Sequence, residues 1–424
     1  MFQLSHALLS IFVLVSVLLP VEAASPTCSS HRLRKEIRDL SDTEWRAYVN
    51  AIRAIKSSGQ WSPFVITHRT YTLDAHGGVL FLAWHRRFLY EFETLLLNFT
   101  GPALTGLPYF EPFTDYDIFD SSSPRYMGVN TGCVTDGPAA GWTTVVGPCL
   151  TRAMTAPTST IDPRTVASMM LGGSAFALFA NALEIGQHAT VHGTIGGDMA
   201  GLNTSTEDPM FWLHHGHVDY VWYKRQYFNV QQFYYEYDGQ HTPGGIGHVT
   251  LDTRVRPWGD TVARVSDVYG TWCYDYQDPA RLAGSEASLP NVQAPNRKRE
   301  SKTNRHRLID WDPNGLAHHF TMPSKELMRS MQIDPANARA AMDTINYHVD
   351  LINADIGLGK RPPTMMELTA GVGGVDLPAD KAPAPAEQVT DPTHVTKSAP
   401  SYAIREYRFN HAFVMFFVCL ALLL

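Results

Sequence analysis

Three histidines fall within four positions in the stretch DPMFWLHHGHVDYVW at residues 208–222: His214, His215 and His217. Imidazole fills a core poorly, so rings set among aromatic residues are either hydrogen-bonded or hold something. A second stretch, EIGQHATVHGTIGGDM, places His188 and His192 four apart. On a helix that is one turn, so both rings can approach one metal ion. His215 precedes Asp219 by four residues, and that carboxylate can hold the ring's outer N–H or support its helix. His214 points roughly 100° away on the same helix, so it reads as a core or supporting residue rather than a ligand. A third stretch, HRTYTLDAHGGVLFLAWHRRFLYEFE, supplies His68, His76 and His85, the last among Phe81, Phe88, Leu89 and Phe92. A bare buried imidazole there is costly, and a metal pair between facing helices would explain both groups. All-imidazole ligation suits copper, zinc, iron or nickel. Neither group contains the E-x-x-H spacing of diiron carboxylate sites, which favours oxygen-bridging copper. His31, His241, His248, His306, His318, His319, His348, His394 and His411 have no comparable pattern around them.

Helices must position these rings. Residues 41–57 read as a helix, with Ser41 as cap, Glu44 completing a capping box, and Trp45, Tyr48, Ile52 and Ile55 as the apolar stripe. Residues 78–98 read as a more buried helix. Residues 107–162 are rich in Gly, Pro, Ser and Thr and predict a long ordered loop region. Helical pattern returns over 163–192, started by Pro163 and interrupted at Gly172 and Gly173, and again over 210–226. A Thr/Val/Trp-rich portion, 249–273, predicts short strands. After about residue 280 the character changes. NRKRESKTNRHR at 296–307 is basic, residues 321–354 are helical with a thin apolar face, and residues 371–400 are Pro/Ala-rich like a linker.

The 424 residues allow one large core of roughly 250–300 residues plus an appendage. A formal net charge of −7 offers no basic surface for nucleic acid. The start, MFQLSHALLSIFVLVSVLLPVEAASPT, reads as a secretory signal cut after Ala23 or Ala24, with an uncleaved membrane anchor as the alternative. In an exported chain Cys133 with Cys149 would close a short Gly-rich loop, and Cys28 with Cys273 would tie the chain start to the end of the core. The sequence leaves that pairing open. No CxxC is present, so thiolate zinc and thioredoxin chemistry have no support. Asn98 and Asn203 head glycosylation sequons. The apolar end, HAFVMFFVCLALLL, is short for a transmembrane helix and reads as either a lipid-anchor signal or a packing segment.

The motifs HGGVLFLAWHRRFLYEFE, HATVHGTIGGDM and DPMFWLHHGHVDYVW together resemble the type 3 copper proteins: tyrosinases, catechol oxidases and haemocyanins. The likeness spans about residues 40–276 and is nearest to short secreted fungal polyphenol oxidases. It implies a mainly α fold, an antiparallel four-helix bundle around a dicopper site with long loops and minor β structure. It implies that His68, His76 and His85 bind one copper and His188, His192 and His215 the other. Phe211 matches the aromatic packed under the second site, and Glu184 matches the acid that orients a water. WCYDYQDP at 272–279 looks like the tyrosine motif closing the family core. The organisation expected is a signal at 1–24, a catalytic domain at 25–280, an extension at 281–370 that shields the site or is processed, and a linker and apolar tail at 371–424.

By resemblance the partners are dioxygen and a small phenol, and the reaction is oxidation of o-diphenols to o-quinones. Monophenol hydroxylation is a further capacity of the family, which includes pigment and secondary-metabolite enzymes. A dioxygen carrier or an o-aminophenol oxidase would share the same ligands. Departures bear on this choice. Ala189 follows His188 where many monophenol-hydroxylating relatives have Asn. Asp74 stands where several relatives place a cysteine, LPYFEPF replaces a Tyr-Trp-Asp-Trp stretch, and Tyr220 follows Asp219 where Arg is usual. Together they favour diphenol oxidation. Gly216 and His217 are expected at the entrance, the glycine making room for a ring and the histidine greeting an acidic substituent.

Overall fold

The structure, a computed structural model, describes residues 28–280 except 29, 113–115, 156–165, 167–174 and 229, together with parts of 324–350. The expected signal, the helix start at Pro163, the Gly172–Gly173 interruption, the basic stretch at 296–307 and the linker and tail lie outside the described residues.

Helix α1 (Asp42–Ser57) starts as its sequence dictates. Ser41 Oγ accepts from Glu44 N–H at 3.3 Å, and Glu44 Oε2 accepts from Ser41 N–H at 2.8 Å. Two otherwise unpaired donors of the first turn are thereby satisfied. Tyr48, Ala51, Ile52 and Ile55 form its buried face, and it packs along α4 (Leu80–Thr100). Between them lie α2 (Ser62–Thr70) and the four-residue α3 (Thr72–Ala75). Helix α4 has no polar residue at its own start; its Leu80 N–H instead donates to the ring of His241 at 3.3 Å. It stops at Gly101, whose φ of +55° favours glycine.

The next helical rod is α5 (Phe176–Leu183), a π turn (Glu184–His188) and α6 (Ala189–Ile195). The i, i+4 spacing predicts an unbroken α-helix here, but the backbone widens by one residue per turn at the histidine-bearing stretch. Such π turns are frequent at functional sites. Helix α7 (Pro209–Phe228) is buried at every residue from Pro209 to Tyr227, so its polar side chains, from His214 to Gln226, must find partners inside the protein. Asp208 Oδ1 caps it by accepting from Met210 N–H at 2.9 Å. Trp212 of α7 stacks on Phe92 of α4 with centroids 3.8 Å apart and planes 9° off parallel. Such ring pairs contribute about 0.5–1.5 kcal/mol beyond their burial.

The β structure is minor, as expected. Strand β1 (Arg32–Arg34) pairs in parallel with β8 (Tyr274–Tyr276), Arg32 opposite Tyr274. The Cys28–Cys273 disulfide lies beside this pairing. Strands β2 (Thr131–Cys133) and β3 (Thr151–Ala153) frame the loop closed by Cys133–Cys149. Both proposed bridges are therefore present. Two further hairpins are β4 (Gly239–His241) with β5 (Gly247–Val249), and β6 (Arg254–Val255) with β7 (Asp260–Thr261). In the extension, α8 (Lys325–Ser330) brings Met328 into an apolar cluster with Ala338, Met342, Ile185, Ala189 and Leu202. No described helix is long and apolar enough to cross a membrane.

Candidate metal centre

Helix α2 carries His68, the segment after α3 carries His76, and α4 carries His85. One nitrogen from each lies within 4.8 Å of the others, and all three rings are buried. The tautomers follow from hydrogen bonding. His68 Nδ1 donates to Leu202 O at 2.8 Å, His76 Nδ1 to Thr72 O at 3.2 Å, and His85 Nδ1 to Phe81 O at 2.9 Å. Carbonyls accept only, so each Nδ1 bears the proton and each Nε2 keeps a lone pair. Nε2 of His68 and of His85 are buried with no hydrogen-bond partner. In an apolar interior such lone pairs suit a metal ion.

The second group repeats this logic. His188 Nδ1 donates to Glu184 O at 3.0 Å and His192 Nδ1 to Met199 O at 2.5 Å, while His188 Nε2 has no partner. Two candidates compete for third place. Ligand atoms of His188, His192 and His214 fall within 4.8 Å of one another, whereas Nε2 of His215 lies 3.3 Å from Nε2 of His192. That separation matches two imidazoles each about 2.0–2.1 Å from one tetrahedral ion. The roughly 100° between His214 and His215 on the helix thus does not keep His214 from coming near the second group. Side chains adjacent on a helix wheel can converge when their rings swing toward one cleft, and these two ring centroids are 5.5 Å apart. His214 Nε2 is already engaged, donating to His188 O at 3.1 Å.

The two groups adjoin. His85 and His215 stack at 4.2 Å with planes 19° apart, and His76 and His188 lie 6.1 Å apart. Phe211 sits between them, 4.1 Å from His215 and 5.1 Å from His68. Burial pushes His68 down to about 3 and His192 to about 4. Burial first, then the neighbouring imidazoles, holds His76, His85, His188 and His215 well below the usual histidine range. At neutral pH the rings are uncharged, the state a metal requires. Glu184, buried, accepts from Gly77 N–H at 2.8 Å and so joins the π turn to the His76 segment. Burial raises its carboxyl to about 8, against the pull of the Gly77 and Gly78 amides.

Several expected roles change. His217 is fully buried rather than at an entrance; it pairs with Gln187 Nε2 and its ring lies 6.0 Å from Tyr109 and 5.7 Å from Tyr220. Gly216 makes room for protein, not for a substrate ring. A Cβ there would meet Tyr109 Cβ at 3.0 Å, and its carbonyl accepts from Tyr276 Oη at 2.9 Å. Asp219 does not hold His215, whose Nδ1 has no partner. It takes Arg34 at 2.9 Å, Arg86 at 2.6 Å, Tyr274 at 2.7 Å and Tyr276 at 2.8 Å, and so supports the helix, the other role foreseen for it. Asp74 pairs with Arg256 at 2.8 Å. Ala189 is buried beneath the extension's apolar cluster, and Asn98 and Asn203 are exposed. Sequence reasoning missed Arg34, Arg86 and Glu93; for Arg86 and Glu93 a charge inside an apolar stretch was the available signal, whereas Arg34 lies in the charge-rich HRLRKEIRD, where nothing nearby marks it as buried. It also passed over His241.

The family described as the common central domain of tyrosinase matches residues 58–227. A tyrosinase of Streptomyces antibioticus is 31% identical over 265 residues, covering 54% of this chain and 93% of that protein. A tyrosinase-like protein of Caenorhabditis elegans is 33% identical over 212 residues, which is 45% of this chain but only 30% of that longer protein. Among solved structures, a polyphenol oxidase variant from Thermothelomyces thermophila superposes with a TM-score of 0.48 at 23% identity, over 59% of this chain and 91% of that one. With two buried histidine trios able to hold metal ions, and likeness running through nearly the whole of a bacterial relative, the chain belongs to the tyrosinase family, whose cofactor is a pair of copper ions.

Proposed function

We propose that the chain oxidises o-diphenols to o-quinones, using dioxygen as electron acceptor, as an exported enzyme. The observation that carries this reading is the adjacency of two trios of neutral, buried imidazoles with Glu184 beside them. His68, His76 and His85 would hold one copper ion; His188, His192 and His215 would hold the other. His215 is preferred over His214 because its Nε2 faces that of His192, whereas His214 Nε2 is spent on the His188 carbonyl. When bound, the copper pair supplies two-electron oxidation coupled to dioxygen reduction.

The protein's part is positioning and proton transfer. Each diphenol surrenders two protons and two electrons, and two diphenols reduce one dioxygen to two waters. Glu184 accepts a proton at its carboxylate. Burial that holds its acidity near neutrality suits that task, and two cations nearby would favour its ionised form. Phe211 packs the floor between the trios and leaves no polar competitor there. Ala189 lacks the amide that would orient a water beside Glu184, which supports diphenol over monophenol turnover. The described part of the extension shields the site: Leu327, Met328, Ala338 and Met342 pack on Ile185, Ala189 and Leu202, against the rod that carries His188 and His192. The exposed sequons at Asn98 and Asn203 and the two disulfides fit an exported protein.

The test is copper content followed by paired assays. Near two coppers per chain and turnover of o-diphenols exceeding that of the matching monophenols support the reading. Zinc alone, or dioxygen binding without turnover, rejects it. Ala189→Asn is expected to raise the monophenol-to-diphenol ratio several-fold, roughly 1 kcal/mol in relative barrier height.

A further inference from the structure

We propose that His241 is a positioning residue for the first copper: it clamps both ends of the segment that carries His76, and so sets how tightly that ion is held. This rests on the dicopper reading.

Five of the trio residues sit in helices, but His76 does not. It follows the four-residue α3 in extended backbone, at φ −136° and ψ 158°. A helix fixes its side chains through its own hydrogen-bond ladder, whereas an extended residue depends on contacts from elsewhere. Its own Nδ1 contact, 3.2 Å to Thr72 O, is the longest among the five carbonyl contacts of the trio rings.

The contacts come from residues 237–256, beyond the range matched by the family's central domain. His241 Nε2–H donates to Leu73 O at 2.7 Å, and its Nδ1 accepts from Leu80 N–H at 3.3 Å. One buried ring thus spans the start of the segment and the first turn of α4, which carries His85. Only the neutral Nε2–H tautomer can serve both partners. The ring packs against Gly78, where a Cβ would fall 2.7 Å from Nδ1. Val79 N–H donates to Gln240 O at 3.4 Å, Tyr237 Oη bonds to Val79 O, and Arg256 Nε reaches Asp74 Oδ1 at 2.8 Å. From the opposite side, Glu184 holds Gly77 N–H. The β4–β5 hairpin and the strand after it therefore form an external splint for a ligand that lacks a helix of its own. Among the described residues no such splint serves His188 or His192, which lie within one continuous rod.

The experiment is chelator challenge of the copper-loaded full chain, comparing wild type with His241→Phe, which keeps a ring and removes both hydrogen bonds. The expected result is that one of two coppers leaves about tenfold faster, as loss of two buried hydrogen bonds implies, while the other leaves at the wild-type rate; the apo melting midpoint falls by a few degrees, because the Leu73 carbonyl and the Leu80 N–H lose their partner with or without metal. In a His192→Ala background, which retains only the first trio, His241→Phe speeds loss of the remaining ion. In a His85→Ala background, which retains only the second, it has no effect. Equal loss of both ions, or wild-type rates throughout, overturns the proposal. Should His241→Phe not fold, Arg256→Gln tests the same splint from a guanidinium that is 59% exposed; about threefold faster loss of one ion is expected, and an unchanged rate overturns the proposal. A wild-type chain that binds no copper would instead sink the dicopper reading.

Discussion

Helices α4 and α7 present two opposite interiors. On one side His85 and His215 stack with lone pairs left open. On the other, Arg86 reaches Asp219 and Gln226 and lies 3.4 Å over Trp222, while Arg34 bridges Asp219 and Glu93. His85 and Arg86 are consecutive in the chain, yet one lies among imidazoles and the other in a dense ionic network. The difference teaches how function and stability divide here. The open nitrogens on one side are suited to hold metal. Charges matched on the other side fix the two helices that aim those acceptors, because a buried charge without its partner is untenable.

The largest effects should come from breaking the ionic side. Asp219→Ala leaves Arg86 without its carboxylate and Arg34 with Glu93 alone, and is expected to cost about 3–5 kcal/mol, lowering the melting midpoint of apo and copper-loaded protein alike by roughly 6–20 °C. His85→Ala should act in reverse, weakening copper binding more than about 100-fold while moving the apo midpoint by less than about 4 °C. Calorimetry with and without copper separates them; a larger apo loss for His85→Ala than for Asp219→Ala would erase the distinction between the two sides.

A finer cut falls within the open side. His215→Ala should reduce copper from two ions to one per chain. His214→Ala should keep both, with affinity weakened about tenfold through the loosened His188 carbonyl. Metal analysis after desalting decides, and the opposite order would move the second site to His214.

The smallest effect concerns acid. Burial alone would raise Glu93, but Arg34 and Arg32 outweigh it and pull the carboxyl from 4.5 to about 2. A depressed carboxylate contributes stability above its unfolded value that is lost as pH falls through its folded value. The stability gap between wild type and Glu93→Gln, roughly 3 kcal/mol at neutral pH, should therefore close between about pH 4.5 and pH 2. A gap independent of pH in denaturant titrations would show that Glu93 acts through packing instead.

What the sequence disclosed was local. The capping box of α1, the apolar surround of His85 and the loop between Cys133 and Cys149 are each written within a few neighbouring residues, and each appears in the fold. What it concealed was long-range or rotameric. His241 stands 161 and 168 residues from the groups it clasps, so nothing around it in sequence marks it. His217 is buried by Tyr109, over a hundred positions away, as well as by nearby Tyr220. The π turn at 184–188 resembles an ordinary helix in letters, because its extra residue is a matter of hydrogen-bond register. The contest between His214 and His215 turns on which way two rings swing, which spacing along a helix does not encode.

The parallel pairing of β1 with β8, beside the Cys28–Cys273 bridge, joins the first and last strands of the core. Covalently, residues 28–273 form a closed ring. A single cut in any exposed loop of that ring, the Val145–Val146 tip for instance, would leave two pieces still linked, with every histidine of both trios retained. The same closure makes this core a natural subject for circular permutation, with new ends opened at that tip and the old ones sewn together.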